Sequence, residues 1–214
     1  MQLAERVRPK TLDDVIGQDR AKKRIECLAK NGLGGRGWWI NGISGTGKST
    51  IAKIIADKVA GDWHDEINVG ECTVKAICDW ERKLRSKPIG GTGHALICNE
   101  AHGLRRDAIR QWLDTLERLP SYACVIFTTT NSAQKDLFED QVDAHPLMSR
   151  CQVLELNSSG PDLELAFACH LRTIAAREGL YGKPITSYVE LVRKCRFNLR
   201  ACLQEVESGV MIDG

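Results

Sequence analysis

Five short apolar runs, Trp38 to Ile40, Ile67 to Val69, Ala95 to Cys98, Cys124 to Phe127 and Val153 to Leu156, recur along the chain between polar or glycine-rich stretches. Runs of that length with turn residues on both sides predict buried strands. Between them the apolar spacing changes to the helical period: Ile51, Ile54, Ile55 and Val59, then Val74, Ile77, Cys78 and Leu84, then Ile109, Trp112, Leu113 and Leu116. Strands that alternate with helices predict an α/β domain with a parallel sheet covered by helices on both faces. The alternation stops at Asn157, where NSSGPD intervenes. Beyond it Leu163 to Glu178, Ile185 to Cys195 and Leu199 to Met211 keep the helical period, with Gly179, Gly182 and Pro184 as punctuation. The expected organisation is an α/β domain over residues 1–157 and a small three-helix domain over 158–214.

The 214 residues, 43% of them hydrophobic, suffice for a sizeable core. Thirty basic and 28 acidic residues leave a formal charge of +2, so any attraction to nucleic acid must come from local patches. Arg105, Arg106 and Arg110 share one helix surface that suits either a DNA backbone or plain solvent. Nine cysteines without a C-x-x-C pair fit neither a disulfide framework nor a zinc site, and the five histidines have no ligand spacing. The cysteines, together with Trp38, Trp39 and Trp112, are expected in the core. No run is long enough to span a membrane and MQLAERVRPK has no signal-peptide apolar stretch, so a reducing, cytoplasmic setting without membrane contact is expected.

The strongest chemical signal is GISGTGKS, Gly42 to Ser49, between a predicted strand and a predicted helix. It fits G-x-x-x-x-G-K-[ST], in which Gly42, Gly45 and Gly47 let the backbone curl with its N–H groups inward, beside Ser44 and Thr46. The helix that follows, opening on Lys48, Ser49 and Thr50, adds its positive N-terminal end. Lys48 is expected to neutralise terminal phosphates and Ser49 to offer a hydroxyl to Mg²⁺, so ATP or GTP is the expected ligand. HALICNEAH, His94 to His102, reads as the second half of the site, a buried strand presenting polar groups at its C-terminal edge. Asn99 is expected to face the magnesium and Glu100 to polarise the attacking water.

With these motifs in order, nearly the whole chain resembles the AAA+ ATPases, and within them the small ATPase subunits of sliding-clamp loaders, including those of phages. The likeness runs through ERVRPKTLDDVIGQDRAKKRI, GISGTGKS, EIN at Glu66 to Asn68, NEAH at Asn99 to His102, FTTTN ending at Asn131, PLMSRC from Pro146, and FNLRACLQEVE from Phe197. It implies a P-loop NTPase sheet followed by a three-helix lid, with ATP and Mg²⁺ as ligands. It also implies a sensor role for Asn131 beside Glu100, an arginine finger at Arg150 directed at a neighbouring subunit, a lid sensor at Arg200, and adenine contacts from Val7, Pro9, Ile16 and Gly17. The implied partners are other AAA+ subunits in a homo- or hetero-oligomer, a sliding clamp and primer–template DNA.

Two departures from the family pattern qualify that picture. Asn99 stands where the magnesium-directing Asp is expected, so the resemblance implies a slow ATPase. The chain also ends after the lid, without the helical collar that joins clamp-loader pentamers. The leading expectation is a clamp-loader-like ATPase of DNA replication. A nucleotide-gated assembly scaffold with little hydrolysis, and another DNA-acting motor such as a helicase loader or branch-migration enzyme, are the alternatives.

Overall fold

Each of the five apolar runs lies in or at the end of a strand, and all the strands pair in parallel. The computed structural model describes residues 1–130 and 144–212. In chain order the elements are α1 (Leu3–Arg6), α2 (Asp19–Ala29), β1 (Arg36–Asn41), α3 (Lys48–Ala60), β2 (His64–Asn68), α4 (Val74–Lys83), β3 (His94–Asn99), α5 (Arg106–Glu117), β4 (Ala123–Thr129), α6 (Ala144–Ser149), β5 (Cys151–Glu155), α7 (Pro161–Arg177), α8 (Ile185–Lys194) and α9 (Leu199–Glu207). The sheet order is β2-β3-β4-β1-β5, which sets the phosphate-loop strand β1 between β4 and β5. Asn131 lies outside the described residues.

Adjacent tryptophans show how the sheet divides the core. Successive strand residues point to opposite faces. Trp38 therefore joins Ile25, Ile51, Ile55 and Ile126 on the face covered by α2 and α3. Trp39 joins Ile77, Trp112, Val125 and Phe127 on the face covered by α4 and α5. Trp39 meets Phe127 tilted and Trp112 meets it edge-to-face, at centroid distances of 5.7 Å and 5.4 Å. Trp38, Trp39 and Trp112 are all buried, as the sequence suggested. The cysteines divide: Cys72, Cys98, Cys124, Cys151 and Cys202 are buried, whereas Cys27 and Cys169 are exposed on helix surfaces.

The least accurate strand expectation is β2, which starts at His64 and ends at Asn68 instead of running through Val69. It is an edge strand with only partial burial, so apolar alternation is weak. Val69 turns away because the Glu71 carboxylate accepts the Asn68 backbone N–H at 3.2 Å, closing a short 3₁₀ turn over Val69–Glu71. The last helix is also shorter than its apolar pattern, ending at Glu207 ahead of Gly209 at φ 86°.

A third apolar cluster lies among α7, α8 and α9, built on Phe167, Leu171, Tyr188, Val192, Leu203 and Val206. Leu3, from the opposite end of the chain, is fully buried in it. The Leu3 N–H donates to Glu207 Oε1 at 3.0 Å, and Arg6 pairs with Glu178. The chain therefore leaves the helical cluster at its N-terminus, builds the sheet, and returns. The nucleotide cleft opens where the two meet.

Candidate nucleotide site

The loop from Gly42 to Gly47 joins the end of β1 to the start of α3. Gly45 and Gly47 have φ of 79° and 101°, a left-handed backbone that glycine adopts without steric cost. Thr46 Oγ1 donates to the Ile43 carbonyl at 2.8 Å. Lys48 Nζ donates to the carbonyls of Gly42 and Ile43 at 2.9 Å and 3.0 Å, so the ammonium lies along the loop. Burial pulls the Lys48 pKa below its ordinary value; the Glu100 charge opposes that shift and the Arg200 charge adds to it. Both charges thus act on Lys48 across a shared space.

That space is a cleft between the sheet edge and the helical cluster. Ser44, Gly45, Thr46, Gly47, Lys48, Ser49 and Thr50 line its floor, with Glu100 at the end of β3. Val7, Pro9 and Ile16 line it from the entry segment, and Arg200 from the first turn of α9. Gly42 contributes its carbonyl to Lys48 but does not line the cleft. Gly17 does not line it: a Cβ there would overlap Leu163, and its carbonyl accepts from Asn157 Nδ2 at 3.0 Å.

Several lining residues escaped the sequence reading. Arg8 and Asp14 come from the entry segment, and Phe167, His170, Leu199 and Leu203 from the helical cluster. Their distance from the loop in sequence hides them. Gln18 is a further omission: it is buried, its Nε2 donates to the carbonyls of Thr46 and Asn157 at 3.4 Å and 3.0 Å, and its Oε1 accepts from the Asn157 N–H at 2.7 Å. It ties the phosphate loop to the segment leading into α7. The only signal for it was its place in the quoted entry motif.

At the end of β3, Glu100 adopts φ 56°, ψ 43°, a left-handed conformation unusual for a residue with a side chain. Such backbones concentrate at functional sites. Here the bend separates Glu100 from the strand and turns it to the cleft, with His102 Nδ1 3.3 Å from its Oε2. Asn99 has a different environment. Its Nδ2 donates to Glu66 Oε1 at 2.7 Å, and its Oδ1 accepts from Thr128 Oγ1 at 3.0 Å. Asn99 does not line the cleft.

Arg150 does not line the cleft either. Its Nε and Nη2 both donate to Glu117 Oε1, at 2.9 Å and 2.7 Å, and its Nη1 donates to the Pro146 carbonyl at 3.2 Å. The guanidinium stays partly exposed between α5 and α6. Arg105, Arg106 and Arg110 are exposed around the start of α5.

A magnesium ion fits this chemistry. Ser49 brings a hydroxyl and Glu100 a carboxylate to the same cleft, hard oxygen groups of the kind Mg²⁺ prefers. Among the described residues no group of His, Cys, Asp and Glu could hold a metal by itself. Among the described residues, no helix is long and apolar enough to cross a membrane.

No protein-family model matches the chain. It is 31% identical over 183 residues to the replication factor C small subunit of Haloarcula marismortui, a match covering 82% of this chain and 52% of that protein. It is 22% identical to the DNA polymerase III subunit tau/gamma of Haemophilus influenzae, covering 97% of this chain and 32% of that protein. The chain thus spans about half the length, or less, of these curated relatives. Among solved structures, the Thermotoga maritima RuvB Holliday junction branch migration motor superposes with a TM-score of 0.70 at 18% identity, over 94% of this chain and 64% of that one. By fold the chain is an AAA+ P-loop module, and by sequence it resembles the small ATPase subunits of sliding-clamp loaders.

Proposed function

We propose that the chain is an ATP-binding, slowly ATP-hydrolysing subunit of clamp-loader type, acting in DNA replication with other AAA+ subunits, a sliding clamp and primer–template DNA. The observation that carries the reading is the convergence of Lys48, Glu100 and Arg200 on one cleft floored by the phosphate loop. The replication-protein relatives favour replication as the setting.

In this reading the loop N–H groups and Lys48 cradle the triphosphate, and Val7, Pro9 and Ile16 pack against the base. Magnesium, when bound, supplies neutralisation of charge on the transferring phosphoryl group. Ser49 provides an oxygen on that side, the neutral Asn99 stands behind it at the end of β3, Glu100 polarises the water, and Asn131 helps to position it. Arg200 reads the nucleotide from the lid. Arg150, outside its own cleft, reaches a neighbour's γ-phosphate. The working cycle closes subunits around clamp and DNA when ATP is bound, and hydrolysis releases them.

One observation favours a second reading, a scaffold gated by nucleotide with little turnover: Asn99 is neutral and both ends of its amide are already hydrogen-bonded. Single-turnover hydrolysis separates the two. ATP cleaved in one turnover, with a rate raised by primed DNA and partner subunits, is the expected result. Tight ATP binding with no cleavage under any of these conditions removes the hydrolytic reading and leaves the scaffold.

A further inference from the structure

The charge missing from Asn99 is present one strand away. Glu66 on β2, Asn99 on β3 and Thr128 on β4 lie across three neighbouring strands and are joined by hydrogen bonds of 2.7 Å and 3.0 Å. They belong to the sheet face covered by α3. Ile97, paired with Glu66, and Ile126, paired with Ile97, are both in the cluster that α3 covers. From α3 itself, Lys53 Nζ reaches Glu66 Oε2 at 3.0 Å.

Helical side chains four residues apart are neighbours on one face, and they lean toward the N-terminus. The face of α3 that carries Lys53 therefore carries Ser49 one turn closer to the phosphate loop. The Glu66 carboxylate, held by Lys53, lies against that face behind the cleft wall that Ser49 lines. Burial would raise its pKa, but hydrogen bonds from Asn99 and Lys53, with the charges of Lys53 and Arg8, outweigh burial and hold it below the ordinary glutamate value.

The amide at position 99 now has a physical reason. An aspartate there would place an oxygen where the Asn99 Nδ2 now meets Glu66 Oε1 at 2.7 Å, and two carboxylates at that separation resist joint ionisation. An asparagine donates to Glu66 through one end and accepts from Thr128 through the other, which fixes the acid's position.

Building on the nucleotide-binding reading above, we infer that Glu66 is the positioning acid for magnesium in this site, supplying from β2 the negative charge that the end of β3 lacks. It acts on the ion through its hydration shell, with Asn99 as the neutral link that orients it. Outer-shell partners of this kind change metal affinity by about 10- to 100-fold when removed.

The test titrates Mg²⁺ against binding of a fluorescent ATP analogue to the full chain, a readout independent of turnover. Glu66→Gln should raise the magnesium concentration for half-maximal binding by about 10- to 100-fold. The exchange Glu66→Gln with Asn99→Asp, which returns one carboxylate and one amide to the pair, should bring the midpoint back toward wild type. Lys53→Met separates this role from a merely structural ion pair. It should leave the midpoint unchanged or lower, because it removes a competing cation, whereas a structural role makes it behave like Glu66→Gln. An unchanged midpoint in Glu66→Gln, or a raised one in Lys53→Met, overturns the assignment while leaving the nucleotide site standing. A wild-type chain that fails to bind the analogue at any magnesium concentration overturns both.

Discussion

The backbone N–H of Leu199, at the start of α9, donates to the carbonyl of Gly45 in the phosphate loop at 3.3 Å, so the helical lid rests directly on the loop that would hold the phosphates. The preceding residue reinforces the contact: Asn198 caps α9 by accepting from the Ala201 N–H at 3.1 Å, and it occupies the space beside Gly45. Arg196 and Phe197, just before it, have φ of 51° and 60°. Non-glycine residues in such conformations are strained. The lid thus approaches the loop through a tightly constrained joint, and Arg200 is set one residue beyond the contact.

A side chain at position 45 should break this arrangement. A Cβ there would overlap Asn198, and φ of 79° is unfavourable for alanine by roughly 1–2 kcal/mol. Gly45→Ala should lower the melting temperature, expose the lid to protease and weaken binding of an ATP analogue. Unchanged protease sensitivity with weakened binding would show that the loop matters and the lid contact does not.

Lys48→Ala should abolish retention of a fluorescent ATP analogue while the chain stays folded by circular dichroism. The substitution removes the ammonium and also leaves the Gly42 carbonyl without its Lys48 donor, whereas the Ile43 carbonyl keeps Thr46 Oγ1. An unpartnered buried acceptor costs about 1–3 kcal/mol, so some loss of stability is expected too. Wild-type affinity in this variant would remove the phosphate-site assignment.

His170 predicts a pH dependence. Burial lowers its folded pKa, and Arg177 lowers it further, so between the folded value and the unfolded value near ~6.5 the unfolded chain holds the proton that the folded chain refuses. Stability should therefore fall as pH drops below the unfolded value, and be indifferent to this group above neutrality. Thermal melts from pH 7.5 to 5.5 should show a smaller acid loss in His170→Gln than in the wild type. Parallel curves would assign the acid sensitivity elsewhere.

These contacts mark the limit of what the chain's linear pattern conveys. The phosphate loop was legible because its chemistry is local: glycines at fixed spacing, a lysine and a serine opening a helix, all within eight residues. The strands were legible because burial on both faces demands continuous apolar runs, and the weakest, β2, is the partly exposed edge. Asn99 was legible as an anomaly but not as one half of a pair, because Glu66 stands 33 residues earlier on another strand. Leu3 gave no sign of its place in the lid core, since nothing local distinguishes it from any leucine in an N-terminal helix. Polar partnerships between strands are set by register, and register depends on the assembled sheet.

Arg150 brings the same problem to the surface. Its pairing with Glu117 also spans 33 residues, and it keeps the guanidinium at the protein's exterior, away from its own cleft. The pair is partly exposed, and ion pairs of that kind contribute only about 0–1 kcal/mol. Arg150 can therefore leave Glu117 at little cost if a neighbouring subunit offers a phosphate. A forked, permanently charged guanidinium suits that target, and arginine fingers in other P-loop enzymes are worth roughly 10³ to 10⁵ in rate. Specific ATPase activity should accordingly rise with protein concentration, and Arg150→Ala should remove that rise without affecting binding of an ATP analogue. Arg150→Lys should recover little of it, because an ammonium cannot make the forked contact. Glu117→Ala should keep the rise and shift the melting temperature only slightly, since the carboxylate holds the arginine at the surface and takes no part in the chemistry. Activity independent of concentration and equal in wild type and Arg150→Ala would leave the arginine as half of a surface ion pair and nothing more.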